Sequence, residues 1–268
     1  TSVVISDSSF ARNEFFGVQP AEFLSAVRVD LLAPASSLVL ARCFFINNTA
    51  HFSQGDLLVY AEGAGTTVQL VNSTFLTHHA TPARGGQSIY LDSRTQLVIE
   101  GCRFVSSRQR LTVSAGTSKR PTTHATCILR NSSFESFASP SSSGSTIAVL
   151  IGLSGFSKLL VEHCFFLQAM QGAINISPSE NDLVLFRDTV FRGTTLEAPA
   201  ALAVSTLAAN NTRIILRRCT FETDNAVDMQ INAIVPPNPR VFVRSNEVLV
   251  EDSIVRRCKA RRASAVIV

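Results

Sequence analysis

The sequence predicts an all-β protein, a right-handed parallel β-helix solenoid of about nine coils with roughly 30 residues per coil. The main observation is an eight-residue phrase that recurs at intervals of 35, 30, 29, 30, 32, 25, 30 and 34 residues. Its copies begin at Val3, Leu38, Val68, Leu97, Cys127, Leu159, Val184, Ile214 and Val248. In addition, apolar residues alternate within the phrase, and no segment between the copies carries a convincing helical apolar stripe.

Each copy of the phrase predicts two short strands that meet at a corner. The first and third positions are apolar, as in Leu38 and Leu40, and the sixth and eighth are small and aromatic, as in Cys43 and Phe45. A period of two is typical of a β-strand. The step from the third to the sixth position breaks this period, so we expect the chain to bend at the fourth and fifth positions.

A third strand is expected in most repeats, within the segment that connects two copies of the phrase. The β-type runs begin at Ser25, Asp56, Gln87, Thr146, Gly172, Ala201 and Val227. Repeats of strand, corner, strand, turn and strand stack as the coils of a parallel β-helix. Because parallel strands lie about 4.8 Å apart, nine coils make a rod about 40 Å long.

A leucine-rich repeat is the alternative fold, because its core also alternates apolar residues before a Cys or Asn. That repeat requires another leucine three residues before the first apolar position. The residues found there are Ala35, Gly65, Arg94, His124, Phe156, Asn181, Asn211 and Ser245. The strand-like connectors and the slightly long period also favour the β-helix.

Stacking of the coils places equivalent residues above one another. The eighth position predicts a buried phenylalanine stack of Phe10, Phe45, Phe75, Phe104, Phe134, Phe166, Phe191 and Phe221. At the sixth position, cysteine occupies every second coil, at Cys43, Cys102, Cys164 and Cys219. Two coils separate these thiols by about 9.6 Å, too far for a disulfide, so we expect free buried cysteines. Cys127 and Cys258 have no obvious mate.

The fourth and fifth positions carry most of the charge of the phrase. Opposite signs on adjacent coils predict ion pairs along Glu100–Arg130–Glu162–Arg187, Arg217–Glu251, Asp7–Arg42 and Asp188–Arg218–Asp252. Enzymes built on a β-helix need unpaired carboxylates, or calcium, beside a basic residue. The expected pairing therefore favours a structural role for these acids. No CxxC or HxxxH spacing occurs, and we assign no catalytic, cofactor or metal residues.

The second position faces away from the first and third, yet it is apolar in eight of nine copies. We call this set the aliphatic stripe: Val4, Val39, Val98, Ile128, Leu160, Leu185, Ile215 and Leu249, with Gln69 as the exception. A solvated outer face normally carries polar residues. Either another part of the chain covers the stripe, or it is an interaction surface for a partner.

Composition and charge limit the classes of partner. The net charge of +4 is mild, and the basic run Arg256, Arg257, Lys259, Arg261 and Arg262 has no accompanying aromatics, so nucleic-acid binding is unsupported. No apolar run is long enough to span a bilayer, and we expect any membrane attachment to lie outside this segment. We expect residues 1–268 to form one β-helix segment excised from a longer solenoid, because neither end shows a polar cap.

Five Asn-x-Ser/Thr sequons are candidate glycosylation sites: Asn47, Asn72, Asn131, Asn175 and Asn210. Asn72 and Asn131 fall on the predicted corner, where they are expected to be exposed. The sequons favour an extracellular or cell-surface location, whereas the free thiols count slightly against it.

The phrases LVLARCFFINN and LVIEGCRF resemble β-helix repeats of the pectate-lyase-like superfamily across essentially the whole chain. Within that superfamily the sequence is most similar to large surface proteins, such as the trypanosome dispersed gene family proteins and the chlamydial polymorphic outer-membrane proteins. The Phe-x-x-Asn motif of the chlamydial group is present at Phe10–Asn13 and Phe45–Asn48. The resemblance implies adhesion or host interaction and supplies no catalytic residues.

We therefore expect a non-enzymatic, surface-exposed scaffold for adhesion, for host or matrix interaction, or for assembly. Its partner would be a protein or a glycan, and the variable connectors Ser106–His124 and Glu135–Ser145 would supply contacts. The alternative is a carbohydrate-active β-helix enzyme, either a polysaccharide lyase or a hydrolase. That alternative predicts unpaired carboxylates and a Lys or Arg in an outer cleft.

Overall fold

The computed structural model describes residues 1–15, 25–50, 55–77, 86–92, 94–106, 110–115, 124–136, 149–153, 155–168, 174–193, 202–205, 211–223, 229–232, 247–256 and 266–267. All regular secondary structure in these ranges is β-strand, and the strands form three long, wholly parallel sheets. The fold is an all-β parallel β-helix solenoid, as the repeat predicts. We number the coils by their copy of the phrase, so that coil 1 contains Val3 and coil 9 contains Val248.

The first sheet is formed by the apolar half of the phrase, and its strands pair in the order of the coils. They are β1 (Ser2–Ser6), β5 (Ser37–Ala41), β9 (Thr67–Val71), β12 (Gln96–Glu100), β15 (Thr126–Arg130), β18 (Lys158–Glu162), β21 (Leu183–Arg187), β24 (Arg213–Arg217) and β27 (Glu247–Glu251). Equivalent residues are in register, so that Leu38 pairs with Val68 and Leu97 with Cys127.

The second sheet begins directly after the corner, with the aromatic half of the phrase. Its strands are β2 (Ser9–Ala11), β6 (Phe44–Ile46), β10 (Thr74–Thr77), β13 (Arg103–Ser106), β16 (Ser133–Ser136), β19 (Phe165–Gln168), β22 (Val190–Gly193), β25 (Thr220–Thr223) and β28 (Ile254–Arg256). A small two-stranded sheet, β3 (Glu14–Phe15) with β7 (Thr49–Ala50), follows it in the first two coils.

The third sheet comes from the connecting segments. Its strands are β4 (Val27–Leu31), β8 (Leu57–Ala61), β11 (Gly86–Leu91), β14 (Arg110–Ala115), β17 (Val149–Gly152), β20 (Ile174–Ser177), β23 (Leu202–Ser205), β26 (Met229–Asn232) and β29 (Val266–Ile267). Six of the seven predicted β-type runs contain one of these strands, and the run from Gln87 overlaps β11, which begins one residue earlier. The connector Ser106–His124, which is predicted to supply contacts, contains β14, and this strand buries Leu111 and Val113. Its role in contacts stays a prediction.

Left-handed backbone at two recurrent positions turns the chain between sheets. The fifth position of the phrase has φ between 49° and 62° in all nine coils, with Asn72 and Asn131 among its residues. Three residues before the phrase, φ lies between 48° and 74° at positions that include Ala35, Gly65 and Asn181. The leucine-rich alternative expects a core leucine three residues before the phrase. The structure has a left-handed corner there, so the leucine-rich alternative is wrong.

The interior is filled by the ladders that the phrase predicts. From Phe10 to Phe221, rings on neighbouring coils stack with centroids 4.7 to 5.1 Å apart. The members from Phe45 to Phe221 are buried, which confirms the predicted phenylalanine stack. Because each of the first eight coils contributes one ring, the stack joins these coils into one continuous hydrophobic core.

The cysteine ladder is also confirmed, since Cys43, Cys102, Cys164 and Cys219 are all buried and free, as is Cys127. Burial raises the pKa of Cys102 to about 11 and that of Cys164 to about 12. The backbone N–H of Cys43 donates to Ser73 Oγ on the next coil at 3.1 Å. The alternation of Cys with Ser therefore satisfies a buried donor. Cys258 lies outside the described residues.

Candidate interaction surface

The aliphatic stripe lies along the outer face of the first sheet, in the middle of each strand. Its neighbours on the strand, such as Leu38 and Leu40, belong to the core, so Val39 between them points outward. The stripe residues are Cα partners rung by rung, from Val4 opposite Val39 to Ile215 opposite Leu249. Gln69 stands between Val39 and Val98, and with it the stripe forms a row about 38 Å long, at about 4.8 Å for each of eight steps.

No residue of the stripe is buried. Val4 is 65% exposed, and the other members are half-buried, as is Gln69. By contrast, the outward-facing Leu58 and Ser88 on the third sheet are covered, with exposures of 0% and 1%. The stripe is therefore solvent-accessible over its whole length. In the described part of the chain, each member of the stripe therefore keeps some accessible surface, and its role as an interaction surface stays a prediction.

Two mostly polar ladders border the stripe. On one side lie the first residues of the strands: Ser2, Ser37, Thr67, Gln96, Thr126, Lys158, Leu183, Arg213 and Glu247. On the other side lie the last residues: Ser6, Ala41, Val71, Glu100, Arg130, Glu162, Arg187, Arg217 and Glu251. From coil 4 to coil 7 this second ladder alternates in sign, which gives the surface a regular charge pattern beside the aliphatic row.

The charges of this alternating ladder are paired between coils. Arg130 Nη2 lies 2.7 Å from Glu100 Oε2, and Arg187 Nη2 lies 2.8 Å from Glu162 Oε1. The predicted four-residue chain thus consists of two pairs, and a third pair joins Arg217 to Glu251 at 3.4 Å. Most of these side chains remain partly exposed, so each pair contributes at most about 1 kcal/mol.

The fifth position carries two further pairs. Arg42 donates two hydrogen bonds of 2.6 Å to Asp7, and Arg218 donates two of 2.7 Å to Asp188. Both pairings were predicted from the sequence. The hydrogen bonds from these arginines lower the pKa of Asp7 and of Asp188. Such carboxylates are held as anions by their partners, which is unsuited to general acid catalysis.

Asp56 is a buried carboxylate that the sequence analysis did not single out. It lies at the entrance of β8, and it accepts hydrogen bonds from Asn48 Nδ2 at 3.0 Å and Gln87 Nε2 at 2.7 Å. Burial raises its pKa to about 7. Asn48 Nδ2 also donates to the carbonyl of Phe10, and Asn48 Oδ1 accepts from Asn13 Nδ2, so the amides link coils 1 to 3.

The outer face of the third sheet presents an aromatic pair that sequence reasoning also missed. Tyr60 and Tyr90 stack with centroids 4.9 Å apart, and the Arg28 guanidinium lies 5.6 Å from the Tyr60 ring centroid. Arg28 also pairs with Asp30 at 3.1 Å. The separation of the two tyrosines by 30 residues, one period of the repeat, was the signal that could have predicted this contact.

Four of the five sequons lie within the described residues. Asn72 and Asn131 are exposed at the corner between the first and second sheets, with φ of 49° and 51°. Asn47 is half-buried at a further left-handed position, and Asn175 is half-buried on the outer face of the third sheet. Asn210 lies outside the described residues. The same is true of Arg257–Arg262 and of most of the predicted contact loop Glu135–Ser145.

The described residues contain no group of three or more His, Cys, Asp or Glu side chains that could hold a metal ion. In the same ranges, no helix is long and apolar enough to cross a membrane.

The three parallel sheets of stacked coils define the class of the protein, a parallel β-helix solenoid. No known family model, curated protein or solved structure matches the chain.

Proposed function

We propose that this protein is a non-enzymatic β-helical scaffold, exposed at a cell surface or outside the cell, that serves adhesion or assembly. The observation that supports this function best is the solvent-accessible aliphatic stripe. A contiguous apolar row rimmed by polar residues is typical of an interaction site, since monomeric proteins rarely leave such a surface to water. The stacked coils hold the row straight and fixed, so its side chains need little ordering when a partner binds.

The state of the acids supports a scaffold more than an enzyme. Partly exposed carboxylates of the first sheet and its corner, such as Glu100, Glu162 and Asp188, are paired with arginines on neighbouring coils. Asp56 is buried within an amide network, away from any surface that a polymer could reach. The raised pKa values of the buried thiols also make them poor nucleophiles.

The finer assignment rests on the resemblance of the repeats to the pectate-lyase-like superfamily, and in particular to trypanosome dispersed gene family proteins. Under this assignment the partner is a protein or glycan of a host cell or matrix. Asn72 and Asn131 fit glycosylation best, because both side chains are exposed at the corner between the first and second sheets.

The test is binding of the protein to a glycan array and to cells or matrix, alongside a panel of pectin-like polymers. We expect binding without release of reducing or unsaturated ends. A Leu160→Glu variant places a charge in the middle of the stripe and should abolish binding. Thr112→Glu is the matched control, since Thr112 is half-buried on the outer face of the third sheet. Release of sugar ends, or equal binding by both variants, would contradict the proposal.

A further inference from the structure

We infer that the aliphatic stripe is a self-association surface, on which a second copy of this chain packs face to face and antiparallel. The two-fold axis runs parallel to the strands and passes between coils 5 and 6. This inference rests on the proposed scaffold function and names its partner. It is carried by the charge pattern beside the stripe, by the residues that the symmetry brings together, and by the area of the face.

The alternating ladder is complementary to its own reverse. From coil 4 to coil 7 it reads Glu100, Arg130, Glu162 and Arg187, which is negative, positive, negative and positive. The two-fold axis places coil 4 opposite coil 7 and coil 5 opposite coil 6. Glu100 then faces Arg187 of the second copy, and Arg130 faces Glu162. The internal pairs and the pairs between copies together form a continuous network of alternating charges.

The two antiparallel registers that are slipped by one coil bring like charges together. A slip of one coil in one direction places Arg130 opposite Arg187 and Glu162 opposite its own equivalent. A slip in the other direction places Glu100 opposite Glu162 and Arg130 opposite its own equivalent. Like charges facing each other across an interface are strongly unfavourable, so the ladder disfavours both one-coil slips. A two-coil slip that places coil 4 opposite coil 5 brings no like charges together, but it has two rungs of opposite charge instead of four.

A face-to-face arrangement with both copies running in the same direction is also disfavoured. In that arrangement the first residue of each strand faces the last residue of the same coil. Arg213 would then meet Arg217, and Glu247 would meet Glu251. In the antiparallel register, by contrast, Arg213 lies opposite Thr67 and Glu247 opposite Ser37, and no two like charges meet.

The same axis aligns the aliphatic residues of the two copies. Ile128 lies opposite Leu160 at the centre, Val98 opposite Leu185, and Val39 opposite Leu249. Eight rungs of about 4.8 Å and strands about 16 Å long give a face on the order of 600 Å² per copy, or on the order of 1,200 Å² in the pair. This is the lower end of the range for specific interfaces, so we expect a reversible dimer.

The experiment is sedimentation velocity of the whole chain over a range of concentrations, with two charge-swapped variants. In the first, Glu100→Arg with Arg130→Glu, the internal pair is kept and the ladder becomes positive, negative, negative, positive. In the second, Glu162→Arg with Arg187→Glu, it becomes negative, positive, positive, negative. Each variant alone faces like charges across the two-fold axis, whereas a mixture of the two is complementary at all four rungs.

We expect the wild-type protein to shift with concentration from 28.9 kDa to twice that mass. Each variant should remain monomeric, with an unchanged β-sheet circular dichroism spectrum, and equimolar mixing should restore the dimer. A monomeric wild type at about 100 µM, dimers of either variant alone, or no heterodimer on mixing would overturn the inference. Binding of cells or glycans by a monomeric protein would overturn self-association and leave the proposed function standing. If the protein dimerises but binds neither cells nor glycans, the proposed role in adhesion would be overturned and the role in assembly would stand.

Discussion

The outer faces of the first and third sheets differ although both belong to the same nine coils. On the first sheet, the middle of each strand carries an aliphatic residue that is half-buried or exposed, as Leu160 and Val4 show. On the third sheet, the outward Leu58 and Ser88 are buried, and the next outward position carries the Tyr60–Tyr90 stack. The difference teaches that alternation sets the direction of a side chain, whereas its burial depends on what packs over the sheet.

The largest expected effect comes from placing the same charge on each face. Leu58→Asp buries a carboxylate where the leucine is 0% exposed, and it should lower the free energy of unfolding by about 4–5 kcal/mol. Leu160→Asp, on the accessible stripe, should cost less than about 1 kcal/mol at a concentration where the protein is monomeric. Chemical denaturation followed by circular dichroism measures both. Equal losses would show that the stripe is covered after all.

The buried carboxylate beside Leu58 should make stability depend on pH. The pKa of Asp56 is raised to about 7 in the folded protein from 3.8, so the folded state keeps a proton that the unfolded chain has lost. Stability should therefore fall by about 3–4 kcal/mol as the pH rises from about 4 through 7. Asp56→Asn should remove this pH dependence, because an amide does not titrate. The hydrogen-bond network should persist, because the Gln87 amide can rotate to accept from the new Nδ2.

The control for this prediction is Asp7→Asn. The pKa of Asp7 is lowered, so its carboxylate is ionised in both states above about pH 5 and adds no slope there. Denaturation midpoints measured between pH 4.5 and 7.5 should separate the two variants. An unchanged slope in Asp56→Asn would contradict the assignment of the raised pKa to this residue.

A smaller effect, and a gain in stability, is expected from a substitution on the covered part of the third sheet. Ser88 Oγ is buried and has no hydrogen-bond partner among the residues that the structure describes. Ser88→Ala should therefore raise the free energy of unfolding by about 1 kcal/mol, because an unsatisfied hydroxyl no longer has to be desolvated. Thr112→Ala, one rung further on and half-buried, should change it little. Destabilisation by Ser88→Ala would mean that the hydroxyl has a partner.

The smallest effect is expected in the ion-pair ladder of the first sheet. Glu100→Gln removes the 2.7 Å contact with Arg130 and should cost about 0.5 kcal/mol in the monomer. At 1 M salt the difference should vanish, since screening weakens partly exposed pairs. Thermal melts at low and high salt measure it. A loss that persisted at high salt would indicate a role beyond the ion pair.

The repeat made most of the frame predictable. The phenylalanine stack and the alternation of Cys43 with Ser73 follow from a period of two within the phrase and about thirty between phrases. The strand β14 was missed because RLTVSA begins and ends with polar or small residues within a connector. The covering of Leu58 and the raised pKa of Asp56 depend on packing between distant segments, which no local pattern encodes.

The stacking of coils is tested most directly by cross-linking residues about thirty apart. Thr67 and Gln96 are Cα partners on adjacent rungs, about 4.8 Å apart, while Thr67 and Thr126 are two rungs apart. Thr67→Cys with Gln96→Cys should form a disulfide under mild oxidation, because that distance lies within the range a disulfide spans. Thr67→Cys with Thr126→Cys should not. Equal cross-linking of both pairs, or of the second pair alone, would contradict the β-helix.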